Sequence, residues 1–524
     1  MSRQSKIGFL PTLPGPVGLF FFLAALLGAS SACRSGFISE HGLSLPVFGR
    51  TSDPRNLGYE PEYIHWFDQF AFIRASGTKI RNLKQKYGSD FPPIQEAEYQ
   101  GDHNVYRIRK KDAAFFQNHG YSIIVNGPYR WIDPGIGTRK LYTDLQRWMQ
   151  GYKDEEMVEK IMHRLEARHP DLAKVYRIGT SVQDRPIYAL RISRGSSPRP
   201  ALLYNSGIHG SEILSIEYSL DLACALLNES CNGSAMDPNL RNRILDGAAI
   251  WIVPVVNPDG LHRFWNENGY MGRKNANGVD LNRNFPFYWK SGNQMASSGS
   301  AASYKYRGKE PGSEPEVKMM MELARKHRFV LSLSFHTYAT RVLFPYTADG
   351  AANPYPDPAA YLATSMASRG ISYRQERQYE AARKLYSVDG TDQDWLYHEM
   401  GIMAFIVEGS MGSPSWEDAN RSIQGMRPIV LESLRLFLDS PRLSIRVLDR
   451  RGLPIENATV DLISRTMYEG EDWPRTDGSG MAQIFLVPGE EPVIEIRKPG
   501  YQSVRRSAPC ASVCNLRFQL TPVE

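Results

Sequence analysis

Two histidines and a carboxylate stand where this sequence could hold a metal ion. His209 and Glu212 are three residues apart, at the point where a predicted strand gives way to a helix, so both side chains can face one ion. His336 is the best candidate for a third ligand. Two histidines and one carboxylate leave the fourth tetrahedral position to water, as a catalytic zinc site requires. A His-x-x-Glu pair taken alone is more often structural, because short motifs frequently match by chance.

Four polar segments, including both parts of this candidate site, follow directly after short apolar runs. The runs cover residues 201–204, 249–256, 329–335 and 402–407. The polar segments that follow them are His209-Gly210-Ser211-Glu212, Asn257-Pro258-Asp259-Gly260, His336 and Glu408. In open α/β sheets, ligands bind in the crevice beyond the carboxyl ends of the strands. We therefore expect the four segments to form one shared site.

The elements around these segments predict the class of fold. Between about residues 141 and 438, helical stretches alternate with the short apolar runs. This alternation is typical of buried strands in a mostly parallel sheet. We therefore expect an α/β fold in which a mixed, mostly parallel sheet is flanked by helices.

The C-terminal part of the chain has a different pattern. Leu443, Ile445 and Val447 alternate with other side chains, and further short strands follow. Turns at Asp477-Gly478 and Pro499-Gly500 punctuate these strands. The pattern predicts a small all-β sandwich.

The first 32 residues resemble an export signal. Arg3 and Lys6 form a positive start, residues 17–28 form an apolar stretch, and small residues follow, which is the pattern of a signal peptide. A transmembrane anchor is the alternative, but about 12 apolar residues are short for a bilayer. Cys33 resembles the lipidated cysteine of bacterial lipoproteins, although Ser30 stands where those proteins usually carry leucine. The pattern predicts an exported protein that is secreted, periplasmic, or anchored at the cell surface through a lipid on Cys33.

The remaining four cysteines form two close pairs, Cys224 with Cys231 and Cys510 with Cys514. In an exported chain, local pairs of this kind predict two disulfides. Four free, buried thiols are the alternative.

Length and charge limit the possible partners. A chain of 524 residues has room for several domains and a large core, and its formal charge of +6 is small for that length. Because the sequence has no long basic block or basic–aromatic stripe, we expect no nucleic-acid partner.

The order and spacing of the polar motifs resemble one family. Residues 141–438 resemble the zinc metallocarboxypeptidases, the family of carboxypeptidases A and B. The matching pieces, in family order, are the His209/Glu212 pair, Asn257-Pro258-Asp259-Gly260, Arg273, the run from Val279 to Pro286, His336-Thr337-Tyr338, Tyr386 eight residues before Asp394-Trp395, and Glu408. The resemblance implies a carboxypeptidase-like α/β fold, one Zn²⁺ ion, and a peptide or protein substrate with a free C-terminus.

The resemblance also assigns the reacting groups. It implies that His209, Glu212 and His336 bind Zn²⁺, a set that agrees with the spacing argument. Glu408 would be the general base that moves the proton of the attacking water. Arg273 would face the oxyanion that develops on the scissile carbonyl.

Other residues would position these groups and the substrate. Asp280 would accept a hydrogen bond from the non-ligating nitrogen of the first histidine and fix its tautomer. Asn282 and Arg283 would hold the terminal carboxylate of the substrate, for which the planar fork of arginine is suited. Tyr386 would close over the bound substrate. Gln393 falls at the base of the pocket for the C-terminal side chain.

Two positions differ from the digestive members of the family. Ser211 stands where those enzymes carry an arginine that contacts substrate, and Gln393 stands where they carry an apolar residue or an aspartate. Both resemble the regulatory branch, whose members also carry a C-terminal transthyretin-like sandwich. The resemblance favours basic or polar C-terminal residues in the substrate.

The region before the central domain contains a strand–helix–strand pattern. Residues 104–109, 111–119 and 121–125 have the patterns of a strand, a helix and a strand. This small α+β piece resembles the activation segments of zymogen carboxypeptidases. Arg139-Lys140 would then be a processing site, and an ordinary surface basic pair is the alternative.

Two other functions compete with a carboxypeptidase. A relative on the same scaffold hydrolyses cell-wall peptides or acyl amino acids, and a non-catalytic binding protein is a further alternative. The presence of all three ligands and the base argues against an inactive scaffold. The predicted domains are a signal peptide over 1–32, an α+β region over 33–135, a catalytic domain over 138–440 and a transthyretin-like β-sandwich over 441–524.

Overall fold

The computed structural model describes residues 70–523, except positions 93, 101–102, 110–111, 122, 125–144, 146–147, 196, 230, 232, 267–271, 373–377, 410–415 and 472–473. The signal peptide, the lipid on Cys33 and the processing site at Arg139-Lys140 lie outside the described residues and stay predictions. Among the helices that are described, none has the length and apolar character needed to cross a bilayer.

A small antiparallel sheet with two helices begins the described chain. Its strands are β1 (Phe70–Ala75), β2 (Ile94–Gln100), β3 (His103–Arg109) and β4 (Ile123–Ile124), in spatial order β2-β3-β1-β4. Its helices are α1 (Gly77–Tyr87) and α2 (Ala113–Asn118). Ile73, Ile108 and Phe116 lie in its buried core. The predicted strand–helix–strand piece corresponds to β3, α2 and β4, so this part of the chain is α+β as expected.

Eight strands form the central sheet. They are β5 (Ala173–Thr180), β6 (Pro186–Ile192), β7 (Ala201–Asn205), β8 (Ala249–Val253), β9 (Leu331–Thr337), β10 (Arg341–Leu343), β11 (Glu380–Ala382) and β12 (Met403–Gly409). Their spatial order is β11-β10-β12-β9-β7-β8-β6-β5.

The centre of this sheet is parallel and its flanks are mixed. Strands β8, β7, β9 and β12 pair in parallel, whereas β10 joins β12, and β6 joins β8 and β5, in antiparallel fashion. The four apolar runs of the sequence are these four parallel strands. Every residue of β7, β8 and β9 is buried, which explains why the runs are unbroken rather than alternating. The carboxyl ends of the four strands therefore meet at one edge.

Helices cover the sheet. They are α3 (Glu155–Arg168), α4 (Ile213–Leu227), α5 (Pro238–Gly247), α6 (Pro258–Asn266), α7 (Pro315–His327), α8 (Pro358–Ala367), α9 (Asp392–Met400) and α10 (Trp416–Asp439). Helix α4 is buried along its whole length, and α10 packs against it. A helix that is buried on every face in this way belongs to the interior of a large core.

Two three-stranded sheets complete the chain. Their strands are β13 (Arg442–Leu448), β14 (Thr459–Leu462), β15 (Met481–Phe485), β16 (Val493–Arg497), β17 (Val504–Ser507) and β18 (Val513–Gln519), ordered β15-β13-β18 and β14-β16-β17. Leu443, Ile445 and Val447 are buried in their shared core, as the alternation in sequence predicts. We call residues 441–523 the C-terminal β unit. Its kinship with transthyretin-like domains stays a prediction.

Both predicted disulfides are present. Cys224 is bonded to Cys231 and Cys510 to Cys514, with Cα–Cα separations of 5.9 and 5.8 Å. These separations are typical of disulfides. The alternative of four free thiols is therefore wrong.

A buried ion pair joins the start of the central region to helix α4. Lys153 Nζ lies 2.5 Å from Glu217 Oε2 and donates to the carbonyl of Met149 at 3.2 Å, and both ionisable side chains are fully buried. The ammonium also lies 4.7 Å from the ring centre of Trp416. Burial lowers the pKa of Lys153 and raises the pKa of Glu217 to about 7.

Breaking this pair is expected to destabilise the fold. Glu217→Gln should lower the free energy of unfolding by about 3–5 kcal/mol, because it leaves a buried ammonium without its counter-charge. The double variant Glu217→Gln/Lys153→Met should recover most of that loss. Urea unfolding measures both. Lys160→Ala, which removes an exposed pair with Glu156, is the control and should cost less than about 1 kcal/mol. An equally small effect of Glu217→Gln would contradict the prediction.

Candidate active site

Three ligand atoms converge at the carboxyl edge of the parallel strands. His209 Nδ1 lies 2.7 Å from Glu212 Oε1, and His336 Nδ1 lies 3.1 Å from Glu212 Oε2. The three ligand atoms all lie within 4.8 Å of one another. Glu212 is the residue before helix α4, yet its side chain makes no capping hydrogen bond and instead faces the histidines. Two imidazole nitrogens and a carboxylate in this arrangement fit Zn²⁺.

A single carboxylate, that of Asp280, is hydrogen-bonded to both His209 and the neighbouring Arg273. Asp280 Oδ1 lies 3.0 Å from His209 Nε2, so the other ring nitrogen, Nδ1, is free to face a metal. Asp280 Oδ2 accepts hydrogen bonds from Arg273 Nε at 3.0 Å and Nη2 at 2.7 Å. The remaining nitrogen, Arg273 Nη1, lies 3.5 Å from Glu212 Oε1, at the rim of the candidate metal site.

The ring of His336 is held by a serine of its own strand, and that serine is bonded to the neighbouring strand β7. Its Nε2 lies 3.3 Å from Ser334 Oγ, two residues earlier in β9. Asn205 Nδ2 donates to Ser334 Oγ at 2.9 Å and to Asp392 Oδ2 at 3.2 Å. The sequence prediction missed Ser334 and Asn205. Ser334 shares a strand face with His336, and Asn205 ends a buried strand, so both positions carried a signal that was not used.

The loop of His209 is fixed by close backbone packing. A Cβ added to Gly210 would lie 2.1 Å from the backbone nitrogen of Leu261, so only glycine fits there. Asn257 Nδ2 donates to the carbonyls of Ile208 and Arg273, each at 3.3 Å. The Asn-Pro-Asp-Gly motif thus ties the segment of the first ligand to the segment of the arginine.

The charges at the site are set by burial and by one another. Burial opposes ionisation of Asp280, but Arg273, Arg283 and His209 outweigh it and hold the pKa of Asp280 well below its usual range. Burial likewise opposes the charge of Arg273, yet Asp280 raises the pKa of that guanidinium well above its usual value. Both groups therefore stay charged across the physiological pH range.

Glu408 lies beside His336, one of the candidate metal ligands. Strand β12 pairs with β9 so that Glu408 is opposite His336. Its side chain is partly accessible. Burial raises the pKa of Glu408 to about 7, with Glu212 adding to the shift and His336 opposing it. A carboxylate with such a pKa is suited to exchange protons near neutral pH.

A second group of predicted residues lies together next to Asp280. Arg283 Nε donates to the carbonyl of Ala296 at 3.0 Å and Nη1 to that of Asn282 at 2.8 Å. Arg283 Nη2 donates to the hydroxyl of Tyr386 at 3.3 Å. The Oδ1 atom of Asn282 accepts from the backbone nitrogen of Asp392 at 2.9 Å. Asn282 and Arg283 are buried, whereas Tyr386 is 37% exposed.

Gln393 is buried and its amide is used within the protein. Oε1 accepts from the backbone nitrogen of Ile406 at 2.8 Å, and Nε2 lies 3.4 Å from Asp394 Oδ1. The residue thus joins helix α9 to strand β12. Its contact with substrate stays a prediction, as do the roles assigned to the other site residues.

A comparison with known families identifies the chain. The sequence profile of the family described as "Zinc carboxypeptidase" matches residues 158–423. This protein belongs to the zinc carboxypeptidase family. As a member of that family it is a metallocarboxypeptidase, a hydrolase whose cofactor is Zn²⁺, and the convergent histidines and glutamate of this structure suit that ion.

Relatives in the zinc carboxypeptidase family share about half of this chain. Human carboxypeptidase A6 is 30% identical over 318 residues, covering 56% of this chain and 69% of that protein. Mast cell carboxypeptidase A from Rattus norvegicus is 26% identical over 316 residues, covering 57% of this chain and 74% of that protein.

Solved structures confirm the fold class. Thrombin activatable fibrinolysis inhibitor matches with a TM-score of 0.51 at 20% identity, covering 70% of this chain and 98% of that chain. Carboxypeptidase A from Helicoverpa armigera matches with a TM-score of 0.50 at 19% identity, covering 70% and 96%. At this level of identity the match concerns the fold alone. The mixed, mostly parallel sheet flanked by helices was predicted correctly.

Proposed function

We propose that this metallocarboxypeptidase hydrolyses the C-terminal peptide bond of peptides or proteins at the site built around His209, Glu212 and His336. The observation that carries the proposal is the position of Arg273 between the cluster of candidate metal ligands and the residues proposed to bind the terminal carboxylate. Its guanidinium shares Asp280 with the first ligand and reaches the rim of the ligand cluster. Arg283, with Tyr386 at its tip, lies within 3.9 Å of the same Asp280. The candidate metal ligands and the residues proposed to bind the terminal carboxylate of the substrate are therefore adjacent.

Glu408 acts as the general base in this proposal. His209, Glu212 and His336 would hold Zn²⁺, whose charge would lower the pKa of an attacking water and polarise the scissile carbonyl. The Glu408 carboxylate accepts the proton of the attacking water and later delivers it to the leaving amine. Its raised pKa supports both halves of this exchange.

Arg273 stabilises charge that develops during the reaction. Because both Nε and Nη2 are held by Asp280, the guanidinium is already oriented before substrate binds. A preorganised donor is more effective than one that must reorient, since it costs no reorganisation at the moment of reaction. Asp280 therefore supports the first ligand and the oxyanion site together.

Asn282, Arg283 and Tyr386 bind the end of the substrate. The guanidinium of Arg283 is buried, and the hydroxyl of Tyr386 takes one of its donors. A terminal carboxylate is a better acceptor for that donor, because charge-assisted hydrogen bonds are stronger than neutral ones. Recognition of a free carboxylate beside the ligand cluster restricts the enzyme to the last peptide bond.

For the substrate side chain we propose a preference for basic or polar residues. Ser211 and Gln393 support this preference because they resemble the regulatory branch of the family. The two disulfides support an exported enzyme, because such bonds persist in oxidising compartments. Secretion and lipid attachment through Cys33 remain alternatives in this proposal.

Hydrolysis of a peptide set that differs only in the last residue tests the proposal. We expect release of single C-terminal amino acids, with kcat/KM for Lys and Arg above that for Phe and Leu. The metal-stripped enzyme is the blank, and a matched set with amidated C-termini is the substrate control, which should not be cleaved. Cleavage of the amidated set would refute an exopeptidase, and a preference for Phe or Leu would refute the proposed selectivity. Activity only on cell-wall peptides would favour that alternative.

A further inference from the structure

A turn of the C-terminal β unit contacts the segment that follows strand β10. In this turn, residues 468–471, the Glu471 carboxylate accepts hydrogen bonds from the backbone nitrogen of Tyr468 at 3.0 Å and from the hydroxyl of Tyr346 at 2.8 Å. The hydroxyl of Tyr468 donates to the carbonyl of Gly350 at 3.3 Å and lies 2.7 Å from that of Tyr288. The turn is thus hydrogen-bonded to both ends of residues 346–350, which we call the relay segment.

Aromatic rings pack together where the turn meets the relay segment. The rings of Tyr346 and Tyr468 lie 5.1 Å apart, and Tyr346 is 1% exposed. Burial and Glu471 raise the pKa of the Tyr346 hydroxyl, so it stays a hydrogen-bond donor. The ring of Phe287 lies 5.1 Å from that of Tyr346 and 4.2 Å from that of His398. A cluster of this kind transmits displacement because its members are close-packed.

The relay segment in turn holds the loop that carries Tyr386. The backbone nitrogen of Val388 donates to the carbonyl of Thr347 at 3.3 Å, and the backbone nitrogen of Asp349 donates to Ser387 Oγ at 3.0 Å. These two bonds hold residues 387 and 388, which directly follow Tyr386. On its inner side, Thr347 donates to both oxygens of the buried Asp394 carboxylate.

Tyr386 is held by side-chain contacts and through its backbone. It is 37% exposed, its hydroxyl accepts a hydrogen bond from Arg283 Nη2 at 3.3 Å, and Lys305 Nζ lies 5.1 Å from its ring centre. Because residues 387 and 388 are bonded to the relay segment, a shift of that segment would move the backbone of Tyr386 with it.

We propose that residues 468–471 of the C-terminal β unit position Tyr386 over the substrate, acting through the relay segment. The inference rests on the proposed function, in which Tyr386 covers the bound C-terminus. It assigns the C-terminal β unit a part in substrate binding. Tyr468 and Glu471 are positioning residues in this scheme, since neither touches the substrate.

Steady-state kinetics of two variants test this inference. Glu471→Ala removes the acceptor of Tyr346, and Tyr468→Phe removes a single hydroxyl while keeping the ring. Each should lower kcat/KM by about tenfold or more, chiefly through KM, because a small misplacement of a positioning group has large kinetic effects. Arg328→Gln is the matched control. It removes another bond to the C-terminal β unit, from Arg328 Nη2 to Asn457 Oδ1 at 2.7 Å, before strand β9 begins. Its kcat/KM should match that of the wild type.

The same variants in a Tyr386→Phe background separate positioning from general stability. If the turn acts through Tyr386, Glu471→Ala should add less than about twofold to the loss already caused by Tyr386→Phe, because coupled residues are not additive. A full additional loss would overturn the inference. Wild-type kcat/KM for Tyr468→Phe and Glu471→Ala would also overturn it while leaving the proposed function intact. Only an inactive wild-type enzyme with bound zinc would overturn both.

Discussion

Glu408→Gln is expected to lower kcat by about 10²–10⁴-fold, the range for loss of a general acid–base group. The change keeps the shape of the side chain and removes its ability to take a proton. Glu408 is not one of the three converging ligand residues, so the variant should bind zinc like the wild type. Single-turnover hydrolysis and metal analysis of the same preparation test this. Glu432→Gln, the same change at a buried carboxylate between α8 and α10, is the control and should leave kcat unchanged.

The pH dependence of the wild type checks the same assignment. The base works only when ionised, so kcat/KM should fall as the pH decreases through the pKa of Glu408. Burial raises that pKa to about 7, and the positive charge of bound Zn²⁺ shifts it downward. We therefore expect an acid limb with its midpoint below pH 7, and this limb should be missing from the residual activity of Glu408→Gln. An unchanged limb in the variant would contradict the assignment.

Arg273→Ala is expected to lower kcat by about 10²–10³-fold, the loss that follows removal of one preorganised donor to an oxyanion. KM should change little, because in the proposed function Asn282 and Arg283 bind the terminal carboxylate of the substrate. The outcome that would contradict the role is near-normal turnover in a zinc-loaded variant.

Two further variants separate charge stabilisation from structural support. Arg427→Ala removes a guanidinium that donates to both oxygens of the buried Asp221, at 2.8 Å each. This pair resembles that of Arg273 with Asp280 but joins α10 to α4, so Arg427→Ala should affect stability and leave kcat unchanged. Arg273→Lys keeps a positive charge but loses the fork. It should retain more activity than Arg273→Ala and less than the wild type.

Much of the central sheet was predictable from the sequence. Strands that are buried on both faces consist of unbroken apolar residues, and β7, β8, β9 and β12 stand out for that reason. The polar motifs after them were predicted to meet, because parallel strands end at one edge. The structure brings His209, Glu212 and His336 together as expected.

Other parts of the fold carried little signal. Most side chains of β17 face solvent, so its sequence lacks the apolar alternation that marked β13. Strand β18 does alternate, with Cys514, Leu516 and Phe518 on the core side, and the prediction did not use that signal. Strand β9 was placed two residues too early, because its last residues, His336 and Thr337, are polar although they are paired and buried.

The least predictable features were long-range contacts between side chains. The bond from Gln393 to the backbone of Ile406 and the bond from Tyr346 to Glu471 join residues distant in sequence. Composition and periodicity describe what each segment buries, and they do not describe which partner it meets. Such pairings follow from the three-dimensional arrangement alone.

The double use of Asp280 has a consequence for how this enzyme can change. In the proposed function, one carboxylate orients both the zinc ligand His209 and the neighbouring Arg273, so a change at Asp280 would alter metal affinity and transition-state stabilisation together. A variant selected for tighter or weaker metal binding through Asp280 would alter turnover in the same step. Adaptation to a new metal supply is therefore expected to proceed through Ser334 and Asn205, which support the other histidine without contacting Arg273.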